Sequence, residues 1–367
     1  MNILFVTKND GHPWAGPSYS VPRQIKAQTS VDNVFWYNLY GKKEAEYEPL
    51  RQWRNEKYYH DLIDYPTGRI ADLPAPFNKA DIIIVEPFYL FGMDRIVEEL
   101  MSCKIPYIIV PRSEFTRLAQ KRHWYKKIPA NILRFYKFAQ NACAIQYLTE
   151  DEAKQSGNKW NQEFFIIPNG CDLPSKTKTS YQDERIKGIY IGRIETYQKG
   201  LDVLVEAIKN VQDKLRKANF TLNIFGPNMD ESVKDLTNMI NMGKLNDLIS
   251  ITSKTVIGEE KMNLLLGSDV FIMPSRFEGL PMALIEALSY GLPCFVATGT
   301  NMRKEIEEAD AGWGTETTVE AVSASLLQMI GDINHYEKMG KNAICLASRY
   351  SWENIAKMTH DILQTYV

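Results

Sequence analysis

Residues 274–287 read Pro-Ser-Arg-Phe-Glu-Gly-Leu-Pro-Met-Ala-Leu-Ile-Glu-Ala and place two carboxylates eight positions apart. Pro281 fits the first turn of a helix, where its missing N–H costs nothing, and Gly279 lets a ligand approach the backbone closely. The free N–H groups at the start of such a helix attract an anion such as a diphosphate. Glu278 and Glu286 would repel a diphosphate, so we expect them to accept hydrogen bonds from hydroxyl groups of the same ligand. The segment therefore predicts a site for a ligand that carries a diphosphate and sugar hydroxyls.

Short apolar, β-branched runs alternate with helix-like stretches along the whole chain, which is typical of buried parallel strands. A polar segment rich in Lys and Ser, residues 175–185, divides these runs into two series. The pattern predicts two doubly wound, Rossmann-like α/β domains with the ligand in the cleft between them, beyond the carboxyl ends of the strands. The predicted strands are 2–7, 34–37, 81–86, 106–110, 142–148 and 163–167 in the first series, and 187–192, 220–226, 249–252, 269–273 and 293–297 in the second.

These series place an N-terminal domain at residues 1–170 and a C-terminal domain at residues 171–350. The last helix-like stretch, residues 351–367, has apolar side chains at helical spacing, among them Ile355 and Ile362. This helix could pack on either domain, and we expect it to pack back on the N-terminal one.

Composition excludes several classes of protein. A chain of 367 residues with 24% charged residues and a net charge of −2 is typical of a soluble globular enzyme. The five cysteines are odd in number and widely spaced, which favours reduced thiols over a disulfide framework. The histidines form no pair at metal-ligand spacing, so we expect no bound metal and no cofactor.

Residues 1–7 are interpreted as a buried strand and not as a signal peptide, and no apolar run approaches the roughly 20 residues of a membrane span. We therefore expect a cytoplasmic protein, peripheral to the inner face of a membrane at most.

A second anion site is predicted at residues 189–202, where a strand ends in Gly192 and a loop then carries Arg193 and Lys199. An Arg offers a bidentate fork for phosphate oxygens and a Lys offers a compact charge, so this pair could neutralise a leaving diphosphate without a metal. Such a pair in isolation is more typical of an exposed polar loop. Its combination with residues 274–287 in one domain favours the functional interpretation.

The two segments together resemble the retaining glycosyltransferases of group 1, also called family 4, which have the GT-B fold. The resemblance is specific from about residue 142 to 313 and weaker over the preceding part of the chain. Further segments that match the family pattern are Pro-Asn-Gly-Cys-Asp at 168–172, the strand-to-helix element at 147–153, Phe-Gly-Pro at 225–227 and the strand at 269–275.

The resemblance implies a role for each candidate residue. Arg193 and Lys199 would hold the donor diphosphate, Glu286 the ribose hydroxyls and Glu278 the hydroxyls of the donor sugar. The loop at residues 9–21 follows the first strand, as the glycine loop of the family does, with Ala-Gly where many relatives have two glycines. The resemblance thus assigns Arg193, Lys199 and Glu278 as catalytic residues, and Gly16, Gly226, Gly279, Leu280 and Glu286 as donor-binding residues.

A basic and aromatic segment of the N-terminal domain, residues 112–137, is assigned to the acceptor side. We expect either a solvated helical face or an acceptor-side surface that meets anionic lipid headgroups or a polyprenyl diphosphate acceptor. Nucleic acid does not fit the near-neutral total charge. Relatives often show a His-Gly pair in this region, where this chain has Arg112 and Glu114; we assign both, with His123, to the acceptor side. The segment carries Arg112, Arg117, Lys121, Arg122, Lys126, Lys127, Arg134 and Lys137, interleaved with Phe115, Trp124, Tyr125, Phe135 and Tyr136.

The resemblance implies a retaining, metal-independent transfer of a hexose-type sugar from a nucleotide-diphosphate sugar, with a UDP-sugar favoured. The acceptor would be a hydroxyl of a glycan or lipid-linked molecule in polysaccharide or glycoconjugate biosynthesis. Because fold does not fix function, a nucleotide-sugar epimerase, a phosphorylase and a non-catalytic nucleotide-sugar binding protein stay as alternatives. A nicotinamide enzyme is disfavoured because the first βα turn lacks Gly-x-Gly-x-x-Gly.

Overall fold

The computed structural model describes residues 1–11, 16–40, 53–121, 123–181, 185–228 and 231–367, without the side chain of Leu118. Within these ranges the chain forms two compact units. The first unit comprises Met1–Gly170 together with Trp352–Val367, and the second unit comprises Cys171–Ser351.

The first unit is built on a seven-stranded sheet in which every strand pairs in parallel, in the order β3-β2-β1-β4-β5-β6-β7. All residues of the central strand β4 are buried, because helices and loops cover both faces of the sheet. The strands are β1 (Asn2–Thr7), β2 (Asn33–Asn38), β3 (Tyr59–Asp61), β4 (Ile82–Glu86), β5 (Tyr107–Ile109), β6 (Ala144–Tyr147) and β7 (Phe164–Ile166).

The α-helices in the Met1–Gly170 part of this unit are α1 (Gly16–Gln28), α2 (Asp94–Ser102), α3 (Arg117–Lys121), α4 (Trp124–Ala130), α5 (Tyr136–Asn141) and α6 (Glu150–Ser156). A π-helical turn, Asn131–Phe135, joins α4 to α5. Helix α6 begins after Thr149, whose side-chain oxygen accepts a hydrogen bond from the backbone N–H of Glu152 at 3.1 Å and so caps the helix.

The second unit contains a six-stranded parallel sheet in the order β10-β9-β8-β11-β12-β13. Its strands are β8 (Ile186–Ile191), β9 (Phe220–Phe225), β10 (Ile249–Thr252), β11 (Val270–Met273), β12 (Cys294–Ala297) and β13 (Gly312–Thr315). Its helices are α7 (Leu201–Lys217), α8 (Ser232–Gly243), α9 (Gly258–Leu266), α10 (Met282–Ser289), α11 (Arg303–Glu308), α12 (Val319–Gly331) and α13 (Tyr336–Ser348). One apolar cluster lies on each face of the sheet, so the second unit has its own core.

The last helix, α14 (Trp352–Leu363), packs on α1 in the first unit. Nδ1 of His360 lies 2.9 Å from the carboxylate of Asp32, and Gln28 donates a hydrogen bond to the carbonyl of Ala356 at 3.2 Å. The C-terminal end of the chain is therefore part of the unit that the N-terminal end begins.

The chain enters and leaves the second unit at neighbouring positions. The backbone N–H of Cys171 donates a hydrogen bond to the carbonyl of Tyr350 at 2.7 Å, and Cys171 forms a parallel bridge with Ser351. On the first-unit side, a Cβ atom at Gly170 would lie 2.4 Å from the ring of Trp352. Only a glycine therefore fits at this position beside the tryptophan.

Each of the eleven predicted strands corresponds to an observed strand, with ends that differ by at most two residues. Two further strands, β3 and β13, were not predicted. Both are edge strands, and their sequences, Tyr-His-Asp and Gly-Trp-Gly-Thr, contain no apolar run. All five cysteines are free; Cys171 and Cys294 are buried, whereas Cys345 is exposed.

Candidate functional site

The topology of the second sheet brings the two predicted anion-binding segments together. Strands β8 and β11 are parallel neighbours, with Gly188 paired to Val270. Their carboxyl ends therefore lie at the same edge, where residues 192–200 follow β8 and residues 274–281 follow β11.

Hydrogen bonds join these two loops to each other. The backbone N–H of Arg276 donates to the carbonyl of Gln198 at 2.9 Å, and the side-chain amide of Gln198 donates to the carbonyl of Phe277 at 3.3 Å. The guanidinium of Arg276 also forms a bidentate ion pair with Asp202, at 2.7 and 2.8 Å, and stacks over the ring of Tyr197. Arg276 and Asp202 were not predicted as site residues, and their role is to fix the loops that carry the predicted ones.

Two glycines allow the close approach of backbone on which this geometry depends. A Cβ atom at Gly226 would lie 1.7 Å from the carbonyl oxygen of Gly192. Gly200 has φ +64°, and a Cβ atom there would lie 2.1 Å from the carbonyl oxygen of Pro274. Gly226, a predicted donor-binding residue, thus packs directly against the turn that precedes Arg193.

Lys199 and Glu278, two of the predicted catalytic residues, form an ion pair with Nζ 2.6 Å from Oε1. Both side chains are about one-tenth exposed (10% and 10%). The same carboxylate oxygen accepts a hydrogen bond at 2.7 Å from the hydroxyl of Ser275, which is fully buried. The pair thus holds a cation and a hydrogen-bond acceptor in fixed positions at the edge of the sheet.

Arg193, the third predicted catalytic residue, is exposed, and its Nη2 lies 3.5 Å from Oε1 of Gln198. Within the described ranges it forms no ion pair. Its carbonyl oxygen accepts a hydrogen bond from the buried hydroxyl of Tyr190 at 2.8 Å. The backbone of Arg193 is therefore fixed while its guanidinium stays available to an anion.

The space beside Gly279 is open, because a Cβ atom there would meet no atom within 4 Å. Asn301 holds the preceding turn by donating a hydrogen bond to the carbonyl of Glu278 at 2.8 Å. Packing within the protein therefore does not require a glycine at position 279. Leu280 packs at the margin of the apolar core.

Glu286 differs from the prediction in one respect. Its carboxylate was expected to accept hydrogen bonds from ligand hydroxyls, and in the structure Glu286 is half-buried and forms an ion pair with Lys261 on α9. Lys261 was not predicted as a site residue, since nothing in the spacing of α9 distinguishes it from a solvated lysine. The charge of Glu286 is therefore balanced within the protein.

The position of Pro281 also differs from the prediction, by one residue. It precedes α10 as the residue that caps it, with extended backbone angles, and the helix begins at Met282. Its carbonyl accepts a hydrogen bond from the N–H of Leu284 at 3.0 Å. The start of α10 still presents N–H groups beside Gly279, as the sequence predicts.

The first unit contains a separate cavity of about 500 Å³ beyond the carboxyl ends of β1, β4 and β5. Its lining combines aromatic rings with carboxylates and other polar side chains, as ligand pockets often do. The rings of Tyr89 and Phe91 are stacked, with centroids 5.1 Å apart. The charged and amide side chains of the lining are Lys8, Asn9, Asp10, Glu86, Arg112 and Glu114.

Arg112, assigned to the acceptor side, lines this cavity but directs its guanidinium into the protein. Its Nε donates to Glu86 at 2.7 Å, and its Nη atoms donate to Ser20, Gln24 and Asn169 at 3.1, 2.8 and 2.9 Å. Four of the five N–H donors of Arg112 are therefore used within the first unit, and the contact from Nε holds the carboxylate of Glu86 in place.

Glu86 and Glu114 are two of the three carboxylates that line the cavity, with Asp10 as the third. Glu86 is 2% exposed, and its Oε1 has no hydrogen-bond partner among the described residues. Glu114 accepts hydrogen bonds from the backbone N–H groups of Phe88 and Tyr89 at 2.8 and 3.3 Å. Burial raises the pKa of Glu114 to about 7, against the opposing effect of these two hydrogen bonds. Glu86 was not predicted, since a strand-end glutamate carries no sequence signal of its own.

His123 does not line this cavity; it is an exposed residue with a left-handed backbone that precedes α4. Gly16 is the first residue of α1, next to Pro17 and Ser18, which do line the cavity. The rest of the predicted glycine loop, residues 12–15, and Arg122 of the basic segment lie outside the described residues. Within the ranges that are described, no group of three or more His, Cys, Asp or Glu residues is placed to hold a metal ion.

The profile of the family "Glycosyl transferases group 1" matches residues 175–345, the part of the chain that contains both joined loops. Residues 175–345 are therefore similar to the group 1 glycosyltransferases, and the predicted resemblance to this group is confirmed.

Two relatives differ in how much of the chain they cover. An uncharacterized glycosyltransferase of Methanocaldococcus jannaschii is 25% identical over 61% of this chain and 56% of the relative. The O-antigen chain mannosyltransferase B of Escherichia coli is 29% identical over 94% of this chain and 72% of the relative. The chain thus spans about half of the length of the first of these relatives.

Among solved structures, Anabaena HepE in complex with UDP-glucose matches 100% of both chains, with a TM-score of 0.67 and 16% identity. A likeness at this identity shows the fold alone. The predicted fold class, two doubly wound α/β domains of the GT-B type, is confirmed.

Proposed function

We propose that the protein is a retaining glycosyltransferase that moves a hexose-type sugar from a nucleotide-diphosphate sugar, with UDP-sugars favoured, to a hydroxyl of a glycan or lipid-linked acceptor. One observation carries the proposal. Arg193, Lys199, Glu278 and the start of α10 meet at one edge of the second sheet, beside the open space at Gly279. The UDP-glucose complex of HepE supports a UDP-sugar as donor.

In this proposal the bond between the anomeric carbon and the diphosphate oxygen breaks as the acceptor hydroxyl attacks the same face of the sugar. Negative charge develops on the leaving diphosphate. Arg193 and Lys199 stabilise that charge by hydrogen bonds, and the N–H groups of α10 add to the stabilisation. The acceptor proton passes to the departing diphosphate oxygen. We propose a metal-independent reaction, because Arg193 and Lys199 supply the positive charge beside the diphosphate.

In the proposed donor site, Lys199 would exchange its partner Glu278 for the diphosphate when the donor binds. A bound diphosphate would compete with Glu278 for the Lys199 ammonium, which lies 2.6 Å from that carboxylate. Glu278 would then accept hydrogen bonds from the sugar hydroxyls, while Ser275 keeps its carboxylate in place at 2.7 Å. Glu286 would accept the ribose hydroxyls beside Lys261.

The cavity of the first unit is the proposed acceptor site. The ring of Phe91, which is 45% exposed, suits the apolar face of a sugar ring, and the unpartnered Oε1 of Glu86 suits a hydroxyl. The similarity to an O-antigen chain mannosyltransferase supports a role in polysaccharide or glycoconjugate biosynthesis, for which we propose a cytoplasmic location.

A mannosyl donor is the second candidate, because the relative that covers 94% of this chain is a mannosyltransferase. A thermal-shift screen with UDP-glucose, UDP-galactose, GDP-mannose and ADP-glucose distinguishes the donors. We expect a UDP-sugar to raise the melting temperature and Lys199→Met to abolish the shift, while Lys209→Met, on the exposed side of α7, leaves it unchanged.

Turnover tests the reaction itself. Incubation of the selected donor with a glycan and lipid extract should give a product whose anomeric configuration, measured by NMR, equals that of the donor. Conversion of the donor alone would indicate an epimerase, and conversion that requires added phosphate would indicate a phosphorylase. Donor binding without turnover on any acceptor would indicate a binding protein.

A further inference from the structure

The helical run at residues 124–141 of the first unit presents a row of apolar side chains to solvent. Trp124, Tyr125, Ile128, Ile132 and Leu133 are each at least half exposed, with 70% for Ile132 and 84% for Leu133. Trp124, Ile128 and Ile132 follow one another at intervals of four residues and so lie along one side of the run, and Tyr125 and Leu133 are their neighbours in the sequence. We call these five residues the apolar patch. Single exposed apolar residues are ordinary, but a contiguous group marks an interaction surface.

The other side of the same run already has its place in the core. Asn131 and Phe135 are buried, as are Phe138 and Ala139. The side chain of Asn131 accepts a hydrogen bond from the hydroxyl of Tyr89 at 2.9 Å. The apolar patch is therefore a second apolar side of a helix that is already anchored, and not a core face left uncovered.

Exposed basic side chains lie before, within and after the apolar patch in the sequence. Arg117, Lys121, Lys126 and Lys137 are exposed, and within the described part of the chain they form no ion pair. Residues 115–137 contain no Asp or Glu. Arg134 is the contrast, since it pairs with acidic side chains of α2. We call the four exposed residues the basic rim. Their long apolar stems can lie along an apolar surface while their charges reach outward.

We propose that the apolar patch and the basic rim dock the first unit on the surface of an anionic lipid bilayer. Trp and Tyr side chains favour the boundary between headgroups and acyl chains, where Ile132 and Leu133 would insert beneath them. The basic rim would meet anionic headgroups. A second copy of this chain is a poorer occupant, because two basic rims would face each other in a symmetric contact.

This inference goes beyond glycosyl transfer and does not depend on it, since lipid binding is measured without turnover. The test is co-sedimentation of the full chain with vesicles of phosphatidylglycerol and phosphatidylcholine in equal parts, and with vesicles of phosphatidylcholine alone. We expect the double variant Ile132→Ser/Leu133→Ser to lower the partition onto the mixed vesicles by at least about tenfold. The variant Lys121→Gln/Lys126→Gln should lose the preference for mixed over neutral vesicles.

The matched control is Met242→Ser in the second unit, because Met242 is 86% exposed and far in sequence from the apolar patch. Its partition should equal that of the wild type. Quenching by brominated lipid, compared between the wild type and Trp124→Phe, reports insertion directly. Equal partition of the wild type and Ile132→Ser/Leu133→Ser would overturn the proposal. So would a wild-type dimer, seen by light scattering, that this double variant converts to a monomer while vesicle binding is unchanged.

Discussion

Lys199 and Glu278 lie 79 positions apart in the sequence, yet the ammonium and the carboxylate approach to 2.6 Å and are largely shielded from water. The pair links the loop after β8 to the loop after β11. It therefore serves the stability of the second unit and, in the proposed function, the chemistry of the donor site.

A double-mutant cycle separates the contribution of this pair to stability from its contribution to catalysis. Lys199→Met leaves the carboxylate of Glu278 with Ser275 alone, and we expect a loss of about 2 kcal/mol in the free energy of unfolding. Turnover should fall by a factor of about 100 to 1,000. The double variant Lys199→Met/Glu278→Gln should regain most of the stability and none of the turnover. Urea unfolding and initial rates measure the two effects, with Lys209→Met as the exposed control. A double variant with restored turnover would remove Lys199 from the chemistry.

The Lys261–Glu286 pair predicts a coupled effect on donor affinity. Glu286→Gln should weaken the binding of UDP by about tenfold, since a neutral amide is the weaker acceptor for ribose hydroxyls. Lys261→Met should also weaken binding, because the uncompensated carboxylate then repels the diphosphate. The double variant Lys261→Met/Glu286→Gln should bind UDP no more weakly than Glu286→Gln alone. Calorimetric titration with UDP measures these affinities.

The control for this series is Lys341→Met, which breaks an exposed ion pair with Glu337 on α13. Its affinity for UDP should match the wild type. Independent, additive losses in Lys261→Met and Glu286→Gln would show that Lys261 does not act through the Glu286 carboxylate.

Glu114 predicts a pH dependence of stability. Its pKa is raised from 4.5 to about 7 in the folded protein, so the folded state binds more protons than the unfolded state between these values. The contribution of Glu114 to stability is therefore largest at low pH and is lost as the pH rises toward about 7. Unfolding free energies of the wild type and Glu114→Gln should converge toward low pH and differ, in favour of the variant, above about pH 7. A difference that does not change with pH would contradict the raised pKa.

Gly226 and Gly279 form a matched pair for an alanine test. Gly226→Ala places a Cβ atom against the carbonyl of Gly192 and should destabilise the protein by at least about 2 kcal/mol. Gly279→Ala meets no protein atom within 4 Å and should leave the melting temperature unchanged. Its added methyl group occupies the proposed ligand space, so the affinity for a UDP-sugar should fall. Unchanged donor affinity in Gly279→Ala would place the donor elsewhere.

The sequence predicted the parts of the fold that depend on local pattern. The buried strands are continuous apolar runs, and β4, with all five residues buried, is the clearest example. The edge strands β3 and β13 escaped prediction because only pairing with a neighbour makes residues such as Tyr-His-Asp extended.

The candidate site likewise contains residues that the sequence predicts and residues that it does not. Motif residues such as Arg193 and Glu278 could be chosen from their sequence context, whereas their partners could not. Whether Lys261 reaches Glu286, or Arg276 reaches Asp202, depends on how α9, α10 and α7 pack around the sheet. The orientation of Arg112 toward Glu86 has the same origin, since it arises from a contact across 26 positions.

The junction at Cys171 and Tyr350 has a practical consequence for engineering. Because the chain enters and leaves the second unit at hydrogen-bonded neighbours, residues 171–351 form an exchangeable cassette whose two ends already meet. We expect this cassette to fold when it is expressed alone with its ends joined by a short linker. Its transplantation into a relative should transfer the choice of nucleotide sugar and leave the choice of acceptor with the host.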